Sequence, residues 1–234
     1  MTPTPLHKTQ RYLIWTAPVV AILVLICYQW LDKPLAIFAH QLMPDASGSA
    51  LSEHLALFLT NIVYCLFIPI FIIYFLLRLA KKPGTALHCA ELICMTVPFT
   101  FFIKNALQFF FGRTSPRYEG YNYLVFQHTP ALYPFHWLDS AGGCFPSGHM
   151  SLMSAFVVAF CLYYKNPLWK LIWGALTLIL GGLLILLNYH FLGDLIAGFY
   201  LGSSISLALF LLQNSAQSHG HDRDRQSSLF PKSR

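Results

Sequence analysis

The sequence predicts an all-α integral membrane bundle of six spans, and three observations carry that prediction. Of the 234 residues, 56% are hydrophobic and only 10% charged, whereas a soluble domain of this size has about 25% charged residues. The apolar residues gather into repeated runs of about twenty, the length that crosses a bilayer as a helix. Prolines, glycines and charges fall between the runs. The net charge of +6 does not indicate nucleic acid, because the basic residues lie in short loops rather than among aromatics on a soluble face. That placement is the one that orients membrane helices, so the bilayer itself is the expected partner.

The first span is expected over residues 12–30, behind a short tail with Lys8 and Arg11. It lacks a small-x-small cleavage site and reads as an anchor rather than a signal peptide. Residues 31–54 form a polar stretch with Pro34 and Pro44, with room for a short interfacial helix. The second span, 55–77, stops at Arg78, Lys81, Lys82, Pro83 and Gly84. The third, 87–111, is less uniform, since it holds Glu91, Pro98, Lys104, Asn105 and Gln108, and ionisable residues at membrane depth call for a reason. Glu91, near one end, reads most simply as a satisfied polar residue. After a long connection, 112–146, the fourth span opens at Ser147-Gly148-His149 and ends near residue 164. The fifth covers 168–187 and the sixth 195–212. Residues 1–213 thus form one domain with a motif-bearing core at about 87–213, and 214–234 are expected to be a disordered basic cytoplasmic tail.

Orientation follows from counting. Six spans put both termini and the loops after spans two and four on one side, which then holds eleven of the fifteen Lys and Arg residues, all but Lys33, Lys104, Arg113 and Arg117. That side is expected to be cytoplasmic. Cys144 is the cysteine of the long outer connection and has no evident partner there, so free thiols are expected. No Cys/His spacing suggests zinc, which leaves His149 and His190 as the side chains still open to a metal at this point.

Two stretches carry the chemistry. In Cys144-Phe145-Pro146-Ser147-Gly148-His149, Ser147 is a good N-cap, and the helix opening behind it presents free amides to an anion. In His190-Phe191-Leu192-Gly193-Asp194, the histidine and aspartate share a face if helical, so that the carboxylate orients the imidazole. Taken singly, each is more often structural. Topology raises their weight, because both fall at the outer side. Lys104 does too, since seventeen residues of helix rise roughly 25 Å from the cytoplasmic end. Arg113 follows just beyond. Lys104 and Arg113 are expected to neutralise phosphate oxygens, with Ser147 and the Gly148 and His149 amides completing the cradle. His190, oriented by Asp194, would attack phosphorus, and protonated His149 would protonate the leaving oxygen.

With these residues in hand, the chain resembles the type 2 phosphatidic acid phosphatase superfamily of membrane lipid phosphatases. The resemblance rests on Lys104 with Phe111-Gly112-Arg113-Thr114-Ser115-Pro116, on Phe145-Pro146-Ser147-Gly148-His149 and on His190-x-x-x-Asp194. It implies a metal-independent phosphatase that needs no cofactor, with His149 as general acid and His190 as nucleophile. Two departures stand out. The family's first block has lysine seven residues before an Arg-Pro pair, whereas here nine residues separate Lys104 from Arg113, so the helix must break near Gly112 for both to reach one phosphate. The arginine that the family carries six residues before the third-block histidine is Leu184 here, and Arg117, His136 and Asn188 are candidate substitutes. The aromatics Tyr118, Tyr121, Tyr123, Phe126, Tyr133, Phe135 and Trp137 read as an interfacial belt, with a headgroup wall as the alternative.

The expected function is hydrolysis of a lipid phosphate or pyrophosphate at the outer, periplasmic leaflet of a bacterial inner membrane. Phosphatidic acid, phosphatidylglycerol phosphate, undecaprenyl pyrophosphate and a lipid A phosphate all fit. The alternatives are a lipid phosphotransferase using the same residues and a non-catalytic binder or transporter of anionic lipid. The spans specify no oligomeric state.

Overall fold

The structure is a computed structural model that describes residues 5–43, 50–81, 84–116, 137–138 and 143–229. Among them the regular structure is helical and no strand occurs, as expected where lipid offers no partner to unpaired backbone groups. In chain order the helices are α1 (Pro5–Ile26), α2 (Asp32–Leu42), α3 (Ala50–Leu79), α4 (Thr85–Phe111), α5 (Gly148–Tyr163), α6 (Pro167–Leu186) and α7 (Leu192–Leu229). Among the described residues, four apolar stretches are long enough to cross a membrane: Leu13–Leu42, Thr85–Phe111, Pro167–Leu186 and Leu192–Ser215. Large side chains such as Trp15, Phe102 and Leu178 stand exposed on their outer faces, which suits contact with lipid.

The helix α5 is the axle of the bundle. It has only 16 residues and is apolar all round because α3, α4, α6 and α7 surround it. Leu152, Ala155, Phe156 and Ala159 bury there. Its tightest neighbour is α7, where Gly198 and Gly202 form a small-x-x-x-small face. A Cβ on Gly202 would stand 2.0 Å from the Ser151 carbonyl oxygen, and one on Gly198 2.5 Å from that of Ser147. Hydrogen alone fits at both places. Ser206 Oγ then donates to the Ala155 carbonyl at 2.7 Å, which locks the register of the two helices.

The polar stretch after the first span holds a short helix, α2, as the sequence left room for; a π-helical turn, Cys27–Leu31, carries the chain from α1 directly into it, with the Asp32 amide donating to the Cys27 carbonyl. The wider turn suits the coming Pro34, which has no N–H to donate and whose ring crowds the carbonyl four residues back. At the other terminus, α7 extends as far as Leu229. Once a helix is nucleated by a packed span, each added residue gains a bond.

At the end of the bundle away from the histidine motifs, Tyr163 Oη donates to Gln213 Oε1 at 2.8 Å and Gln213 Nε2 donates to Glu91 Oε2 at 3.1 Å. Glu91 is therefore a satisfied polar residue that ties α4, α5 and α7 together, as expected.

Candidate active site

Local chain geometry brings the histidines together. Ser147 caps α5, its side chain accepting from the Met150 amide, and its own amide donates to the Asp194 carbonyl at 3.0 Å. This bond joins the start of α5 to the start of α7. Beyond α6, the Leu184 carbonyl accepts from the amides of both Tyr189 and His190, and Asn188 takes a positive φ of 51°. The resulting tight turn sets His190 beside His149, with ring centroids 5.9 Å apart.

A cavity of about 340 Å³ lies against both rings, lined by Lys104, Gln108, Ser115, Gly148, His149 and His190 among others. Lys104 Nζ donates to Asn105 Oδ1 at 2.7 Å and Gln108 Oε1 at 3.1 Å. Both are neutral acceptors, so the ammonium keeps its charge for an anion. Gln108 Nε2 in turn donates to the Pro146 carbonyl at 3.0 Å and pins α4 to the turn before α5. Gly148 leaves the space this requires, since a Cβ there would stand 3.3 Å from the Lys104 chain.

Arg113 goes elsewhere. The helix does break at Gly112, which adopts φ 56° and donates to the Gln108 carbonyl, but the turn delivers Arg113 behind the cavity rather than into it. The guanidinium is fully buried. Its Nη1 bonds Asp194 Oδ1 at 2.5 Å, and its Nη2 bonds Asp32 Oδ2 at 2.6 Å. The Phe191 ring covers it, 4.3 Å from Cζ. Burial works against its charge, yet the two carboxylates outweigh burial and hold its pKa above the ordinary value. The sequence expects Arg113 to grip phosphate; in this geometry each terminal nitrogen bonds a carboxylate, and Arg113 is not among the residues that line the cavity.

Asp194 differs from expectation in a second way. His190 lies in the turn before α7, so the pair is not on one helix. Asp194 sits in the first turn of α7 and reaches back, Oδ2 accepting from the Phe191 amide at 3.1 Å in the manner of a capping box. The same oxygen lies 3.7 Å from His190 Nδ1, beyond hydrogen-bond length but within reach after a small rotation.

The remaining expected residues fall as follows. Ser147 is buried and serves as the cap, while Gly148 faces the cavity. Asn188 is buried and does not line the cavity. Leu184 is also buried, 1% exposed, where its side chain packs into the apolar core. Arg117 and His136 lie outside the described residues, as do the loop aromatics except Trp137, whose ring packs on Phe110 and Phe111.

The sequence reading missed Asp32, Gln108 and Ser115. Asp32 carried only a local signal, an acidic residue in the first turn of a helix. Cys144 also lines the cavity, but burial first, then the Asp194 charge, pushes its thiol up to about 12, so it is no nucleophile near neutral pH. All six cysteines are free thiols. Among the described residues, no group of three or more His, Cys, Asp or Glu side chains gathers as a metal site.

Residues 86–218 match the PAP2 superfamily, a stretch that holds all three motif blocks. The chain belongs to the PAP2 superfamily. Two curated relatives are lipid A 1-phosphatases, from Rhizobium etli and Rhizobium johnstonii. Each is 31% identical over 137 residues, 57% of this chain. That stretch is 56% and 53% of the relatives' own lengths, so this PAP2 protein spans about half of each. No solved structure matches the chain significantly.

Proposed function

We propose that the protein is a six-span membrane phosphatase that hydrolyses a lipid phosphate or pyrophosphate at the periplasmic face of a bacterial inner membrane, through a phosphohistidine on His190. The observation that carries this reading is that two adjoining imidazoles, His149 and His190, and an ammonium bonded to neutral groups, Lys104, line one cavity.

Lys104 and the Gly148 and His149 amides hold the non-bridging oxygens, the amides acting with the positive end of α5. Neutral His190 attacks phosphorus. The bond to the leaving oxygen breaks as His149 gives up its proton to it. Water then attacks the phosphohistidine, with His149 taking the water's proton, and inorganic phosphate leaves. Acyl or prenyl chains stay in the bilayer while the headgroup reaches the cavity. The relatives' names favour a glycolipid phosphate of the lipid A kind over the other candidates.

The test is phosphate release by the purified protein in detergent, with chelator, from a panel of lipid phosphates and pyrophosphates. Release that is lost in His190→Ala supports the reading. Label passed to a second lipid instead of water would make the protein a phosphotransferase, and label left on an unchanged lipid would make it a binder.

A further inference from the structure

Asp32 belongs to none of the three motif blocks and precedes the family-matched residues 86–218. It is nevertheless one of the most enclosed groups in the molecule, at 1% exposed. One oxygen, Oδ2, holds Arg113 Nη2 at 2.6 Å, and the other, Oδ1, accepts from the Gly193 amide at 2.9 Å. Gly193 is the second residue of α7, so Asp32 satisfies a backbone donor that the helix cannot pair internally. The approach is close: a Cβ on Gly193 would stand 3.1 Å from Asp32 Oδ2.

A buried guanidinium between two carboxylates is a poor device for stability alone, since apolar side chains of equal volume commonly do as well. Its geometric consequence is sharper. Arginine tends to take a single carboxylate by both terminal nitrogens at once. If Nη2 were not held by Asp32, it would be available to close such a pair on Asp194 and claim Oδ2. That oxygen is the one 3.7 Å from His190 Nδ1. By occupying Nη2, Asp32 keeps Asp194 on a single guanidinium nitrogen and leaves Oδ2 facing the imidazole.

We propose that Asp32, brought in by the π-turn between α1 and α2, is a positioning residue for the His190 nucleophile, acting through Arg113, the Gly193 amide and Asp194. The N-terminal helices are on this account part of the working site. The inference rests on the roles proposed above for His190 and Asp194.

The experiment is a double-mutant cycle on the full chain in detergent, with Asp32→Asn, Asp194→Asn and the pair. Two quantities are read: kcat and KM for phosphate release, and the rate at which diethyl pyrocarbonate modifies His190, followed by mass spectrometry. Asp32→Asn should lower kcat about 10-fold or more, with KM within about twofold of wild type because the phosphate cradle is untouched. It should also slow modification of His190. Both effects should vanish in the Asp194→Asn background, as required of a residue that acts through Asp194.

Effects that persist undiminished in that background, or a lowered thermal midpoint with unchanged kcat and His190 modification, would overturn the proposal and leave Asp32 a brace of the fold. If the wild type releases no phosphate, the phosphatase reading fails, and the modification rates still decide for or against Asp32. Should Asp32→Asn not fold, Gly193→Ala displaces the carboxylate without removing its charge and is expected to give the same pattern.

Discussion

Lys104 and Arg113 are two cations nine residues apart on either side of one helix end, and they have opposite surroundings. Lys104 faces the cavity with neutral amide oxygens around it. Arg113 lies behind the cavity, fully buried between two carboxylates. A cation whose charge is not already balanced by carboxylates receives an anion at lower cost, so in the proposed reading Lys104 is the phosphate ligand. Arg113 spends its charge on holding Asp32 and Asp194 together, which fixes the starts of α2 and α7 relative to each other. The difference arises at Gly112, whose left-handed turn sends the chain away from the cavity.

The comparison can be broken or sharpened by four substitutions, beginning with the largest effect. His190→Ala should cut turnover by about a thousandfold or more, about 4 kcal/mol of barrier. An acid-labile phosphoenzyme should be lost with it, and residual turnover near wild type would remove the nucleophile from the cavity side. Arg113→Met should destabilise the fold by about 3–5 kcal/mol, since it leaves two buried carboxylates facing each other. The readout is the thermal midpoint in detergent. A variant that folds normally but binds substrate poorly would instead give Arg113 a ligand's role.

Lys104→Met should do the reverse. A charge-assisted contact is worth about 1.5–3 kcal/mol, so weaker substrate binding of that size is expected, measured as a raised KM, with the thermal midpoint nearly unchanged. Gln213→Ala, at the far end of the bundle, should cost about 1 kcal/mol of stability for its lost hydrogen bonds and leave phosphate release as it was. Any change in kcat for that variant would mean that the two ends of the bundle communicate.

A dependence on pH also follows from the proposed chemistry. His190 must be neutral to attack and His149 protonated to release the leaving group, which gives a bell-shaped profile of kcat/KM. His149→Ala should lose the alkaline limb. A flat profile of kcat/KM against pH would count against the assignment.

Much of this was legible in one dimension. Repeated apolar runs specify helices because lipid tolerates no unpaired backbone, and Ser147 before Gly148 marks a helix start because its oxygen can cap that helix. The convergence of Lys104, His149 and His190 followed from counting helix rise. Gly112 as the breaking point followed from the periodicity of Lys104 and Arg113. What a linear pattern could not supply was the partner of each charge. Asp32 precedes Arg113 by 81 residues and Gly193 by 161, and such distant pairing depends on how α2 and α7 pack. Whether Arg113 faces substrate or carboxylates is decided by the rotation of the chain beyond Gly112. The spacing of Gly198 and Gly202 became meaningful only against the Ser147 and Ser151 carbonyls of another helix. The sequence by itself determined the helices, the membrane and the family, because those depend on composition, period and local motif. Tertiary structure alone decided which cation is free for an anion and which is neutralised, because charge compensation is set by what packs within a few ångströms.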